Sequence, residues 1–267
     1  MTLCGIVLHP AGHTRSPAMH TAAYSALGLN ARYEVFDVPP QELAAAIAQA
    51  RARGVRQLAV SLPHKETVIP HLDRIDDTAR AIGAVNTVTR RDGALEGSNT
   101  DWLGAVRALE RETPLAGRHA VVLGAGGSAR AVVYGLHRRG ATVTVLNRSI
   151  SRAETLARDL GARRAGPLAA LADVPHDVLV NTTSVGLRSD ASPIPADVIR
   201  PESVVMDAVY DPEITRLLRD AQLRGARTIP GKWMLVYQAA AQLELWSDRE
   251  APVAVMAEAF DDVGTRA

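Results

Sequence analysis

The chain has 267 residues, a formal net charge of +1, 47% apolar and 22% charged residues, which suits one large or two medium globular domains. Balanced charge and scattered Lys and Arg give no signal of binding to nucleic acid or a membrane surface, and no apolar run approaches the ~20 residues of a spanning helix. Cys4 is the only cysteine, so an intrachain disulfide is excluded; with no charged n-region and no long apolar h-region at the start, the expectation is a cytoplasmic protein.

Strand-like and helix-like stretches alternate in order. CGIVLH reads as a strand, and Ser16-Pro17 as an N-cap with proline at the first helical position, opening AMHTAAYSAL. RYEVFDV is a second strand. PQELAAAIAQARARG is a helix with Leu43, Ile47 and Ala50 on one face and Gly54 as its stop. RQLAVSL is a third strand and leads into PHKETV, where Lys65 reads either as a solvated helix-start residue or as a lysine held at a sheet edge for proton chemistry. GSNTD leads into the helix WLGAVRALERE, and the connector TPLAGR opens a second half. There HAVVLGA, TVTVLN, DVLVNTT and SVVMDAVY are short, β-branched apolar runs, and Ile214, Leu217, Leu218 and Ala221 fall at helical spacing. Apolar strands separated by helices predict parallel sheets covered on both faces, hence two α/β halves. After Gly231 come two Ala- and Leu-rich helices whose partner the pattern leaves open.

The most specific local signal is a strand followed by Gly124-Ala125-Gly126-Gly127-Ser128-Ala129 and a helix with Ala129, Val132, Val133 and Leu136 on one face. This is the G-x-G-x-x-A form of the dinucleotide fingerprint. The first glycine allows the turn, the second lets backbone approach a pyrophosphate, and the alanine lets the helix sit close to the sheet. Free N–H groups at the helix start then face the phosphates. The next strand ends in Asn147-Arg148-Ser149, then Ile150-Ser151-Arg152, without the acid that would hold a ribose 2′-hydroxyl. A guanidinium there suits a 2′-phosphate, so the expected cofactor is NADP. Two solvated arginines at a helix start are the bland alternative.

The first half gathers polar groups at element ends: Thr14 and Ser16, Ser61 and Lys65, Asn86 in GAVNT, and Asn99 and Asp101 in GSNTD. Ligands of parallel sheets gather at strand carboxyl ends. Singly, each has a structural alternative: Ser16 as an N-cap, Asn86 as a turn bridge, Asp101 as a helix cap. The eight histidines form no HExxH or similar spacing, and no metal is expected.

Over its length the chain resembles the shikimate dehydrogenase family, with its shikimate/quinate members. The resemblance rests on HTRSP (13–17), SLPHK (61–65), GAVNT (83–87), GSNTD (97–101), GAGGSARAV (124–132), NRSISRA (147–153), NTTSVGL (181–187), DAVYDPEITRLL (207–218) and GKWMLVYQAA (231–240). It implies an α/β fold with a substrate domain over 1–101 and 233–267, the C-terminal helices returning to it, and a Rossmann-like NADP domain over 102–232. It implies reversible reduction of 3-dehydroshikimate to shikimate by NADPH, with Lys65 and Asp101 as the catalytic pair. Substrate contacts fall on Thr14, Ser16, Ser61, Lys65, Asn86, Asp101, Tyr210 and Gln238. Cofactor contacts fall on Asp77, on Gly124, Ala125, Gly126, Gly127 and Ser128, on Asn147, Arg148, Ser149, Ile150, Ser151 and Arg152, and on Ala208 and Gly231. Monomer and homodimer are both compatible with it. The chain departs from the family where Thr14-Arg15-Ser16 replaces Ser-x-Ser, where Ala59-Val60-Ser61 replaces Asn-Val-Thr, and at Ser98 and Leu243. These departures keep quinate or an analogue in view as substrate. A non-catalytic NADP sensor is the rival of another class, and the retained lysine and carboxylate count against it.

Overall fold

The computed structural model describes residues 1–12 and 14–265, with side chains through residue 262; His13 of the HTRSP stretch and the terminal Arg266 and Ala267 lie outside the described residues. Along the chain run β1 (Thr2–Leu8), α1 (Ser16–Ala26), β2 (Ala31–Asp37), α2 (Leu43–Ala52), β3 (Gln57–Val60), β4 (Arg74–Ile75), α3 (Asp77–Ile82), β5 (Thr87–Arg91) and β6 (Ala94–Ser98). Then follow α4 (Asp101–Leu109), β7 (His119–Leu123), α5 (Gly127–Arg138), β8 (Thr142–Leu146), α6 (Ile150–Leu160), β9 (Arg164–Gly166), β10 (Val178–Asn181), β11 (Val204–Asp207), α7 (Arg216–Leu223), β12 (Arg227–Ile229), α8 (Gly231–Ser247) and α9 (Val253–Thr265). Two compact units result: Met1–Thr100 with Val236–Ala267, and Asp101–Leu235.

The sheet of the first unit has the order β2-β1-β3-β5-β6-β4. It is mixed, which corrects the expectation of a wholly parallel sheet. Strand β1 runs parallel to β2 and β3, but β5 is antiparallel to both β3 and β6. The cause is local. Asp92 and Gly93 take φ of 51° and 82°, a two-residue turn with both centres left-handed. So short a link can only join antiparallel strands. One face of this sheet, with Val7, Leu58, Val60, Val88 and Leu95, packs on Leu43, Ile47 and Ala50, the predicted stripe of α2.

Helix α1 starts one residue earlier than expected. Arg15 occupies the N-cap position without a side-chain cap, and Ser16 is already helical, with proline in the first turn. The Ser16 N–H donates to Thr14 Oγ1 at 3.3 Å, a local bond that satisfies one of the first N–H groups of the helix from outside the cap position. The C-terminal segment packs within the same unit. Arg15 Nη1 donates to the Phe260 carbonyl at 3.2 Å and stacks over that ring, while Arg91 Nη2 donates to the Leu245 carbonyl at 2.9 Å.

The sheet of the second unit is wholly parallel, in the order β12-β11-β10-β7-β8-β9. Strand order reverses between β7 and β10, the switch point at which doubly wound sheets bind ligands beyond the strand carboxyl ends. Ala129, Val132, Val133 and Leu136 of α5 are fully buried, as their spacing predicts. On α7 the pattern holds for Leu217, Leu218 and Ala221 but not for Ile214. That residue precedes the N-cap Thr215, whose hydroxyl accepts from Leu218 N–H at 3.3 Å, and it is exposed.

Candidate active site

In the first unit the substrate-side candidates cluster around Asn86, at the start of β5. Its Oδ1 accepts from Thr100 N–H at 2.7 Å and from the Thr87 hydroxyl at 2.8 Å. Its Nδ2 donates to Thr100 Oγ1 at 3.0 Å and to Gln238 Oε1 at 3.2 Å. The Thr100 hydroxyl donates to the Gln238 carbonyl at 3.0 Å. Asn86, Thr100 and Gln238 are all buried. Asn86 therefore does more than bridge a turn: it joins β5, the end of GSNTD and α8.

PHKETV forms no α-helix. After β3, consecutive turns run from Leu62 to Val68, which corrects the helix-start alternative for Lys65. The turns are pinned by His64. Its ring is fully buried, and because the Val38 carbonyl can only accept, Nε2 donates to it at 2.8 Å. Burial lowers the pKa of this imidazole, keeping it neutral. The Lys65 carbonyl accepts from Val85 N–H at 2.8 Å, and the residue is half-buried. Ser61 N–H donates to the Val7 carbonyl at 2.9 Å and the Ser61 carbonyl accepts from His64 N–H at 2.8 Å, fixing Ser61 at the carboxyl end of β3. Ser16 is buried on α1, one turn from His20. His20 stacks on Tyr33 at 4.4 Å between centroids.

Asp101 is the first residue of α4, buried, and belongs to the second unit, as does the half-buried Tyr210 after β11. Asp77 is exposed at the first position of α3 in the first unit; the cap there is Asp76, whose Oδ1 accepts from Ala79 N–H at 2.6 Å.

In the second unit Gly124 takes φ of +112°, and a Cβ there would lie 2.5 Å from Thr182 Oγ1. The β7 and β10 loops approach too closely for any other residue. Gly126 differs: a Cβ would meet no atom within 4 Å, so the backbone before α5 is open to a ligand oxygen. Gly127 and Ala129 are buried against the sheet, while Ala125 and Ser128 are half-buried at the loop. Asn147 Nδ2 donates to the Ser149 carbonyl at 3.0 Å and orders the turn into α6. Arg148, Ser149, Ile150, Ser151 and Arg152 are exposed there, with Ser149 and Ser151 hydroxyls 3.1 Å apart. Arg152 Nη2 donates to the Ala125 carbonyl at 3.4 Å, tying the arginine-bearing turn to the glycine loop. Open backbone donors with guanidinium groups alongside fit a phosphorylated dinucleotide.

Two further groups went unread in the sequence. His64 is one. The other is Asp207, fully buried at the end of β11. Its Oδ1 accepts from Asn181 Nδ2 at 2.8 Å and Val209 N–H at 3.0 Å, and its Oδ2 from the Thr215 hydroxyl at 2.7 Å. Burial pushes this carboxyl up to about 6, against those hydrogen bonds. The residue fixes the loop that carries Ala208, whose N–H donates to the Asn181 carbonyl at 2.8 Å. Gly231 meets the same loop. A Cβ there would lie 2.5 Å from the Val209 carbonyl oxygen and 2.8 Å from that of Ala208. Packing by itself therefore requires glycine at the start of α8. Among the described residues no cluster of His, Cys, Asp and Glu could hold a metal ion, and no helix is long and apolar enough to cross a membrane.

Comparison with known proteins bears on the whole chain. Residues 6–88 match the shikimate dehydrogenase substrate binding domain, 107–187 the shikimate / quinate 5-dehydrogenase domain, and 231–259 the shikimate 5′-dehydrogenase C-terminal domain. The shikimate dehydrogenase (NADP(+)) of Thermococcus kodakarensis is 47% identical, the match covering 92% of this chain and 90% of that protein. Shikimate 5-dehydrogenase of Thermus thermophilus, solved with NADP(H) and shikimate, is 40% identical with a TM-score of 0.92, over 98% of this chain and 99% of that one. The 5-ketofructose reductase of a Gluconobacter species is 38% identical with a TM-score of 0.88, over 98% of each chain. Fold, glycine loop and relatives agree, and the chain belongs to the shikimate dehydrogenase family.

Proposed function

We infer that the chain is an NADP-dependent shikimate dehydrogenase, reversibly reducing the carbonyl of 3-dehydroshikimate to the hydroxyl of shikimate. What carries this reading is the 47% identity to an NADP(+) shikimate dehydrogenase across 92% of the chain. The open Gly126 and the arginines at the start of α6 add support for the cofactor. When bound, NADPH supplies the hydride. The residues of the chain hold the substrate and manage the proton. Thr14, Ser16, Ser61, Asn86, Tyr210 and Gln238 are assigned to the oxygens of a polyhydroxylated acid. Lys65 is assigned to the oxygen that changes between carbonyl and hydroxyl, where an ammonium donates a hydrogen bond, stabilises developing negative charge and passes the proton. Asp101 is its partner at that oxygen. Arg148 and Arg152 are assigned to the 2′-phosphate, Gly124 to Ser128 to the pyrophosphate, and Asn147, Ser149, Ile150 and Ser151 to the adjoining adenosine side. Asp77, Ala208 and Gly231 are assigned to the remainder of the cofactor. A single cysteine fits a reducing compartment, and a cytoplasmic enzyme is part of this reading.

The test is turnover. Mixing the purified chain with 3-dehydroshikimate and NADPH should consume NADPH, and shikimate with NADP⁺ should regenerate it. Cofactor binding without turnover of either acid would leave a non-catalytic NADP-binding protein and overturn the reading.

A further inference from the structure

Helix α8 presents two glutamines four residues apart to the same partner. Gln238 meets the Asn86 side chain, and Gln242 Nε2 donates to the Asn86 carbonyl at 3.1 Å. Residues spaced by four share one helix face. The donor assignment at Gln242 is unambiguous, because a carbonyl only accepts. That carbonyl also accepts from Val60 N–H at 2.7 Å, so two donors fix the peptide plane following Asn86. Val60 immediately precedes Ser61. Gln242 thus ties α8 to the β3–β5 edge, where the substrate candidates Asn86 and Ser61 stand.

Folding alone does not call for an amide here. Gln242 is 2% exposed, and its neighbours Ala239, Ala240, Ala241 and Leu243 are buried and apolar. A buried carboxamide costs stability unless its partners compensate, whereas an apolar residue of like size would pack the helix without that cost. The polarity at 242 serves the groups it touches. We propose that Gln242 is a positioning residue for the substrate, holding the Asn86 carbonyl and with it the β3–β5 edge that carries Ser61 and Asn86. This inference rests on the functional reading above and goes beyond it by naming a residue outside the contact set.

The experiment uses Gln242→Met, which keeps the length and removes the donor, and Gln242→Glu, which keeps the shape and donates nothing when ionised. Shikimate and NADP⁺ are each titrated calorimetrically into the full chain, and kcat is measured at saturation. The expected result is a five- to tenfold rise in the Kd for shikimate, about the worth of one neutral hydrogen bond. NADP⁺ affinity should stay within about twofold and kcat within about threefold. Unchanged shikimate affinity in whichever variant folds overturns the proposal. An equal loss of NADP⁺ affinity overturns it too, since that marks general loosening. Failure of the unaltered chain to bind shikimate overturns the functional reading and this inference with it.

Discussion

Asp207 allows a quantitative test of how the cofactor unit is held together. Its carboxylate is fully buried and its hydrogen-bond partners Asn181, Val209 and Thr215 are all neutral donors. Burial raises the pKa from 3.8 to about 6. Below about pH 4 the group is protonated in both folded and unfolded chains and costs nothing. Between about 4 and 6 the folded chain retains a proton the unfolded chain has lost, so stability falls as pH rises. Above about 6 both are ionised and the full cost persists. Two pKa units at ~1.36 kcal/mol each make that cost about 3 kcal/mol. Asp207→Asn removes the ionisation and can keep the geometry. The Asn oxygen still accepts from Asn181 and Val209, while its NH₂ donates to the Thr215 hydroxyl, which accepts as readily as it donates. Urea unfolding of both proteins from about pH 4 to about pH 8, followed by tryptophan fluorescence, should show the variant gaining about 3 kcal/mol on the parent across that range. For a chain of this size that corresponds to roughly 6–12 °C in Tm. A stability difference that does not change with pH would refute the argument, because Asp207 would then be ionised at no cost in the folded chain.

The remaining predictions concern the reaction. Lys65→Ala should lower kcat about 10²–10⁴-fold with a smaller change in KM, the usual loss for a general acid or base; an intact kcat would make the lysine a turn residue only. Arg148→Ala should raise the KM for NADPH about tenfold or more and leave NADH kinetics unchanged, since a charged hydrogen bond is worth about 1.5–3 kcal/mol; equal damage with both cofactors would move Arg148 to the pyrophosphate or the fold. Shikimate should show a larger kcat/KM than quinate. Ser61 lacks a methyl relative to the family's threonine, and a methyl changes discrimination by only about 1–3 kcal/mol, so a larger value for quinate would reassign the substrate.

The second unit was legible in the sequence because its signals are local and mutually consistent. Its strands are buried on both faces and therefore read as continuous apolar runs, as in Val121 to Leu123 and Val178 to Val180. The glycine loop names its own turn, strand and helix. The first unit was only half legible. Strands β5 and β6, TVTRR and ALEGS, carry too much polarity for an apolar-run reading, and the two-residue β4 is below any periodic signal. The Asp92-Gly93 pair was the available clue, and it predicts the hairpin and thereby the antiparallel strand.

Within the candidate site, a residue's type was legible where its partner was not. Asn86 stood out as a polar group at a strand end, yet its partners Thr100 and Gln238 are 14 and 152 residues away, a spacing no local pattern encodes. Ser16 before proline reads as a cap, but the helix includes it, and Thr14, two residues earlier, accepts its orphan N–H. His64 was passed over beside the more suggestive Lys65. Its buried ring, donating to the Val38 carbonyl at 2.8 Å, is what holds the turns that carry the lysine. Asp207 is inconspicuous in the sequence, because nothing in DAVYDPEITRLL shows that its first residue accepts three hydrogen bonds out of reach of water. Each missed group is a buried polar residue with one partner in another stretch of the chain, Val38 for His64 and Asn181 for Asp207. Burying such a residue costs stability unless partners compensate. The sequence shows the need for those partners before the fold supplies them, and a polar residue at a strand end next to an apolar run is where to search for the next one.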